Sequence, residues 1–333
     1  MRIAITVSNA EHVEATWTTT HLAHFGLVSG FDVRIIEPRD LEVTSRGQLV
    51  ARSAVLEGHQ GTLDALAAYI RERRAPRRYI SVSSCDLLLL RVNPLTEEML
   101  NLALIAVEQG ANVVNDPSGV ARTRSKSWLA SLPDVPRPPT LVTSSRASAV
   151  IFAESLNAPV VIKPALSSGG RAVSLVRPRS PGDLDEAIGR AVSVSRGPFV
   201  IQGLAPEADL GEKRLFWVDG AVLGGYLRTR TEGEFRHNLR CGSTPQPCEI
   251  TPRDHALAHA ISPHLLRNRI RIAGLDVIGG MLIEVNTLNP GGVHYADHFA
   301  RLASPHTDAP PIGLQVLQRL VSKVTVPPEA THA

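Results

Sequence analysis

"GLDVIGGMLIEVNTLNPGG", Gly274 to Gly292, is the stretch on which the reading of this chain turns. Apolar residues flank Gly279-Gly280, the pattern of a hairpin between buried strands. Yet the stretch carries Asp276, then Glu284 and Asn286. A buried acid is costly without a partner. Oxygen ligands of this kind suit magnesium, a hard cation held by one or two carboxylates together with phosphates. Glu284 and Asn286 are two apart and share a strand face. With a two-residue turn at Gly279-Gly280, Asp276 would oppose Ile283, which puts it on the other face from Glu284. A three-residue loop, Gly279 to Met281, pairs Asp276 with Glu284 directly. The metal reading therefore expects the longer loop, with a glycine at positive φ. The competing reading is a hairpin whose acids face solvent; Val277, Ile278, Leu282 and Ile283 suggest instead that both faces are covered.

Outward from this hairpin the chain divides in two. Its first part alternates strands ("RIAITVS", "FDVRIIEP", "YISVSSCDLLLLRV", "NVVND") with helices (around 18–29, "TLDALAAYIRER", "TEEMLNLALIAVEQG"). That alternation implies a largely parallel α/β sheet. Thr96 can cap the third helix and Gly110 can end it. A turn, a helix and a Pro-rich connector at 117–140 set a boundary near 120. Beyond it, "TLVT", "PVVIKPA", "AVSLVR", "FVIQGL", "KRLFWVDGAVLGGYLR" and "LDVIGGMLIEVN" read as strands. Helices "SRASAVIFAESL" and "DLDEAIGRAVSV" lie among them, the pattern of an α+β half.

The 333 residues exceed one ordinary core and imply two or three domains. Hydrophobic and charged fractions of 43% and 20% are those of a soluble globular chain. The net charge of +3 is dispersed, apart from "RERRAPRR" at 71–78. No aromatic residues interleave there, so it reads as a solvated helix end and not as a nucleic-acid site. Cys85, Cys241 and Cys248 are odd in number and widely spaced, which predicts neither a zinc site nor a disulfide framework. "MRIAITVSN" reads as a strand, not a signal peptide, and no apolar run is long enough to span a membrane. A cytoplasmic protein is expected.

Two further segments can carry chemistry. In "VVIKPALSSGGRAV", Lys163 ends an apolar strand and the small-residue loop Ser167-Ser168-Gly169-Gly170 follows. Such a loop lets backbone N–H groups approach phosphate, and the lysine supplies a point charge. A flexible hairpin with a solvated lysine is the plainer alternative, since neither G-x-x-x-x-G-K-[ST] nor G-x-G-x-x-G is present. Next, Lys213, Arg214, Arg228, Arg230, Arg236 and Arg240 cluster with Asn238. Segment 229–243 has the composition of a loop that closes over anions, although single arginines in loops are commonly solvated.

The order of these signals resembles that of an ATP-grasp ligase of the prokaryotic glutathione synthetase type, over about residues 1–320. The matching stretches are "LLLLRVNPL" (87–95), "VVNDPSGVARTRSKSWLASLPDVPRPPTLVT" (113–143), "VVIKPALSSGGRAV" (160–173), "GEKRLFWVDGAVLGGYLR" (211–228), "EFRHNLRCGS" (234–243) and the opening hairpin. The resemblance implies an ATP-grasp fold: an N-terminal α/β pre-ATP-grasp domain (1–120), a lid (121–200), a catalytic subdomain (201–322) and a tail (323–333). It implies ATP phosphates on Lys126, Lys163 and the 167–170 loop, and adenine along Gln202, Gly203 and Leu204, contacted mainly through backbone groups. It implies magnesium, with manganese as a substitute, on Asp276, Glu284 and Asn286. Arg214, Arg228 and Asn238 would be catalytic. Thr18, Thr19, Arg91, Arg236 and the "NPGG" run Asn289, Pro290, Gly291 and Gly292 would bind substrate.

The implied reaction joins a small-molecule carboxylate to an amine through an acyl phosphate, most simply γ-glutamylcysteine to glycine. A homo-oligomer with no nucleic-acid or membrane partner is expected. "RVNPLTEE", "NTLNPGG", "RHNLRCGS" and the Gly203-Leu204 pair depart from the usual family pattern at positions around the substrates and the adenine. They leave open a ligase of other amino-acid-like substrates. A non-catalytic nucleotide-binding regulator is the third possibility.

Overall fold

Three sheets follow one another along the chain in this computed structural model, which describes residues 1–57, 61–167, 169–177, 181–306 and 308–322. The first contains β1 (Arg2–Thr6), β2 (Asp32–Ile36), β3 (Leu41–Val43), β4 (Leu49–Val55), β5 (Arg77–Ser81), β6 (Leu87–Leu89) and β7 (Val113–Val114). Its order is β3-β4-β2-β1-β6-β7, with β5 also paired to β4. β2, β1, β6 and β7 run parallel, as the strand–helix alternation predicts. β3, β4 and β5 extend this sheet antiparallel. The β3–β4 hairpin escapes a pattern reading because β3 has only three residues and β4 carries Arg52 and Ser53 in its middle. Helices α1 (Thr18–Val28), α2 (Leu63–Arg71) and α3 (Glu97–Glu108) belong to this unit. Thr96 caps α3 by accepting from the Met99 N–H, and Gly110 follows the helix with φ of 89°.

In the basic stretch at 71–78, Arg71 donates to the Val13 carbonyl, Arg73 pairs with buried Glu37, and Arg77 pairs with Asp40. Those charges are spent within the fold.

α4 (Pro117–Thr123) and α5 (Lys126–Ala130) lead to the second sheet, β8 (Thr140–Thr143), β9 (Val160–Pro164), β10 (Ser174–Val176) and β11 (Phe199–Gly203). It is antiparallel, in the order β10-β9-β11-β8. α6 (Arg146–Leu156) and α7 (Pro181–Ser195) cover it. Ala149, Ile162, Phe199 and Ile201 form a core separate from the rest, the mark of an independent subdomain. The boundary expected at residue 200 falls inside β11, whose pairing runs on to Gly203.

The third sheet is antiparallel: β12 (Glu212–Val218), β13 (Ala221–Thr229), β14 (Thr244–Gln246), β15 (Ile272–Ile278) and β16 (Met281–Asn286), in the order β14-β13-β12-β15-β16. α8 (Pro252–Arg267), α9 (Val293–Ala303) and α10 (Ile312–Ser322) complete the chain. Strand alternation divides the faces. Leu215, Trp217, Leu275 and Val277 pack with Leu257, Ile261 and Leu265 of α8. Phe216, Val218 and Ile272 pack with α9, α10 and α1. Gly224 allows that second contact, since a Cβ there would lie 2.4 Å from Ile312 Cδ1. α9 and α10 cover one end of this face; the other end carries the charged residues described next. The expected tail, 323–333, lies outside the described residues.

Candidate active site

The hairpin turn is the short one. Ile278 pairs with Met281 across Gly279-Gly280, whose φ values are 54° and 69°. The longer loop expected from the sequence is therefore wrong. Asp276 nevertheless pairs with Glu284, because the register slips between Asp276 and Val277 and leaves Ile283 as an extra residue. This β-bulge does what the longer loop was invoked to do.

The register places a band of charge on one face. Arg214 stands between Asp276 and Tyr226, and Glu212 opposes Arg228. Arg214 donates through Nε and Nη2 to the two Asp276 oxygens at 2.6 and 3.2 Å. Arg228 reaches Asp276 at 2.7 Å and also contacts Glu212. Asn286 donates to Asp276 at 2.9 Å. Burial pushes Asp276 up, but Arg214 and Arg228 outweigh it and hold the carboxyl below the usual range. Glu212 shares Arg228 with Asp276, and burial pushes it up to about 7. Burial opposes the charge on Arg228, yet Asp276 and Glu212 together raise its pKa.

Lys163 is buried at the end of β9 and donates to Gln202 Oε1 at 2.9 Å, while Gln202 donates to Thr140 Oγ1. Burial brings its pKa down to about 8, with Glu284 partly offsetting the effect. Lys126 Nζ meets the Ser167 carbonyl at 2.9 Å and Glu284 at 3.5 Å. Gly169 and Gly170 touch the arginine loop: Arg236 Nη1 donates to the Gly170 carbonyl at 3.1 Å, and a Cβ at Gly169 would lie 3.2 Å from Arg240 Cδ. Ser168 lies outside the described residues. The N–H groups of Gly203 and Leu204 bond the carbonyls of Pro139 and Pro159.

These residues line one cavity, from Lys126, Lys163, Ser167, Gly169 and Gly170 to Arg236, Asn238, Glu284 and Asn286. Its other wall is an apolar cluster of Ala205, Ala208, Ile278 and Ile283. A second cleft opens against the first sheet, lined by Thr18, Thr19, Arg91, Asn289, Gly291 and Gly292. Arg91 is buried there, donating to Thr19 Oγ1 at 2.9 Å and the Pro290 carbonyl at 3.1 Å. Thr18 Oγ1 accepts from Val293 N–H, and Arg214 Nη1 donates to the Gly291 carbonyl. Arg214, Arg228 and Asn238 line both cavities.

Among the described residues no group of three or more His, Cys, Asp or Glu side chains is arranged to hold a metal. The candidate set here is two carboxylates and a carboxamide. It suits a hard cation whose remaining ligands come from phosphate. Glu284, held only loosely by Lys126, is the oxygen donor most available for one. An apolar cluster and two lysines in one cavity likewise fit a nucleotide.

Sequence reasoning missed Glu212, His237, the apolar wall, and Trp17, Tyr226 and Tyr295 in the second cleft. Glu212 had a readable signal, two positions before Arg214 on the same strand face. Lys213, grouped with the arginines in the sequence, points the other way and pairs with Asp254 at 2.6 Å.

The sequence profile of the prokaryotic glutathione synthetase ATP-grasp domain matches residues 125–300. The chain belongs to that family. It is 35% identical to a glutathione synthetase of Synechococcus elongatus over 187 residues, 56% of each chain. It is 30% identical to one from Parasynechococcus marenigrum over 261 residues, 75% of this chain and 79% of the relative. The match thus spans little more than half of the first relative's length. A D-cycloserine synthetase structure superposes with a TM-score of 0.66 at 13% identity, over 97% of this chain and 99% of that one. The D-alanine-D-alanine ligase of Coxiella burnetii gives 0.63 at 11%, over 97% and 96%. At such identities the likeness establishes the fold, which is ATP-grasp. Family members use ATP and magnesium.

Proposed function

We propose that the protein is an ATP- and magnesium-dependent carboxylate–amine ligase, most simply one that joins γ-glutamylcysteine to glycine. The observation that carries this reading is the sharing of Arg214, Arg228 and Asn238 by the two cavities. A γ-phosphate arriving from one side and a carboxylate from the other would meet at these guanidinium groups. Two anions repel, and fixed positive charge at their meeting point lowers the barrier to phosphoryl transfer.

Each residue has a place in that scheme. Lys126 and Lys163, with Ser167, Gly169 and Gly170, hold phosphates. Gln202, Gly203 and Leu204 flank the base. Asp276, Glu284 and Asn286 hold magnesium, which neutralises phosphate charge when bound. Arg91, Thr18 and Thr19 orient the acyl substrate, with Asn289 to Gly292 beside it. Arg236 and Asn238 close over the centre against the glycine loop and exclude water from the acyl phosphate. The amine then attacks the acyl carbon, phosphate leaves, and the amine proton is lost to give the amide. The reading includes small-molecule substrates, no nucleic-acid or membrane partner, a homo-oligomeric assembly and a cytoplasmic location. Among the described residues no helix is long and apolar enough to cross a membrane.

A second reading, a ligase for other amino-acid-like substrates, is favoured by one observation. Asn93, Asn289, Gly291 and Gly292, from two of the stretches that depart from the family pattern, line the second cleft. ADP release with γ-glutamylcysteine, with and without glycine, separates the two. Glycine-dependent release with a product of glutathione mass supports the first. Silence from protein that binds ATP supports the second.

A further inference from the structure

Glu234 precedes Phe235 and Arg236 in the loop between β13 and β14. Phe235 and Arg236 line the cavity that holds the two lysines, and among the described residues Glu234 is not part of that lining. Its carboxylate is filled instead by donors from its own loop. Oε1 accepts from the backbone N–H groups of Phe235 and Arg236 and from Arg236 Nε, each at 2.9 Å. Oε2 accepts from Arg236 Nη2 at 2.6 Å. The side-chain bonds to Arg236, together with the two N–H groups, bring the Glu234 carboxyl down to about 2, so it stays ionised.

This arrangement aims the guanidinium. A guanidinium is planar and presents its donors as a rigid fork. Glu234 takes the edge made by Nε and Nη2, which leaves Nη1 for another partner. Nη1 donates to the Gly170 carbonyl at 3.1 Å, joining segments 66 residues apart. The two loops are close-packed at that point, since a Cβ on Gly170 would lie 3.3 Å from Cys241 Sγ and 3.4 Å from Arg236 Cδ. An exposed ion pair is worth little. Here the Arg236 and Glu234 side chains are only 32% and 20% exposed, and the carboxylate is also fixed by backbone.

We propose that Glu234 is a positioning residue: it aims Arg236 at the glycine loop and so fastens together two loops that border the bound nucleotide. It works only through the Arg236 guanidinium and touches neither nucleotide nor substrate. The proposal rests on the nucleotide reading of this cavity, and the test separates the two.

The test is the release rate of a fluorescent N-methylanthraniloyl ADP from the full-length protein with magnesium, chased with unlabelled ATP in a stopped-flow instrument. No acyl or amine substrate is needed. Wild type, Glu234→Gln, Arg236→Met and the double variant form a cycle. Glutamine offers one oxygen and turns an NH2 group on the guanidinium, so the fork is no longer held. Each single variant should release the nucleotide about 10-fold faster, the worth of one charged hydrogen bond. The double variant should be no faster than Arg236→Met. Arg236→Lys, which keeps the charge and loses the fork, should release as fast as Arg236→Met. A wild-type rate in any single variant overturns the proposal. If Glu234→Gln speeds release by the same factor with and without Arg236, Glu234 merely braces its own loop, which also overturns it. Should Glu234→Gln not fold, Glu234→Asp is put through the same cycle. Wild type that binds no nucleotide overturns the nucleotide reading itself.

Discussion

Asp276 faces Glu284 across a hairpin whose turn has only two residues, because Ile283 bulges out of β16. Side chains alternate along a strand, so a regular two-residue hairpin would have put these carboxylates on opposite faces. One inserted residue brings them together and sends Ile283 to the apolar wall of the same cavity.

The two acids are held differently, and their neutral amides should separate function from stability. Glu284 is half-buried, with Lys126 3.5 Å away. Glu284→Gln should lower ATP turnover by about 100-fold or more and leave the melting temperature nearly unchanged. Asp276 is buried against two arginines. Asp276→Asn should abolish turnover and also cost about 3–5 kcal/mol of stability, because Arg214 loses its counter-charge and Arg228 keeps only Glu212. ADP release and chemical denaturation, run on both variants, check the pair. Equal stability of the two variants would contradict the arrangement.

Lys163 predicts a pH effect on nucleotide binding. Its pKa is about 8, so the ammonium is largely charged at neutral pH and loses its proton as the solution becomes alkaline. ATP affinity should fall between about pH 7 and about pH 9, a range in which phosphate stays ionised and arginine stays charged. Lys163→Met should bind ATP more weakly and lose most of that fall, the remainder coming from Glu212, whose pKa burial pushes up to about 7 in the same cavity. The sign for folding is opposite. The unfolded chain keeps this proton up to the ordinary value of 10.5, so this group alone favours the folded state as pH rises from about 8.

Arg91 ties Thr19 of the first domain to the Pro290 carbonyl beside the third sheet. Lysine has no planar fork and cannot reproduce both bonds. Arg91→Lys should raise KM for the acyl substrate at least several-fold while KM for ATP stays near wild type. Steady-state ADP release, with each substrate varied in turn, measures both. A change confined to ATP would place Arg91 in the wrong cavity.

Gly279 adopts φ of 54°, and a Cβ there would lie 2.6 Å from the backbone carbonyl of Pro206. Gly279→Ala should therefore cost about 1–3 kcal/mol. Because Pro206 precedes Ala208 on the cavity wall, ATP binding should weaken as well. Denaturation midpoints and ATP titration read the two effects.

Much of this was legible in the sequence. The strand–helix alternation gave the parallel part of the first sheet, and the hairpins gave the two antiparallel ones. Asp276 and Glu284 stood out because charge in an apolar context demands a partner, Asn286 because it shares a strand face with Glu284, and Lys163 because it ends an apolar strand before a small-residue loop; Lys126 followed only from the family resemblance. Glu212 did not stand out, since an acid in "GEKR" reads as surface until its face of β12 is known to be covered. His237 likewise read as one more polar residue in a polar loop.

The sequence by itself determined most of the segments that become strands and which side chains must escape the core. Those are properties of local periodicity and of the cost of burying charge. Only the tertiary structure decided the rest. The bulge at Ile283 sets which acids share a face. Arg214 and Arg228 stand where two cavities meet. Residues 18–19, 91 and 289–292, far apart along the chain, form one cleft. Each depends on pairing between distant segments, where a one-residue shift in register turns a side chain to the opposite face and leaves the composition unchanged.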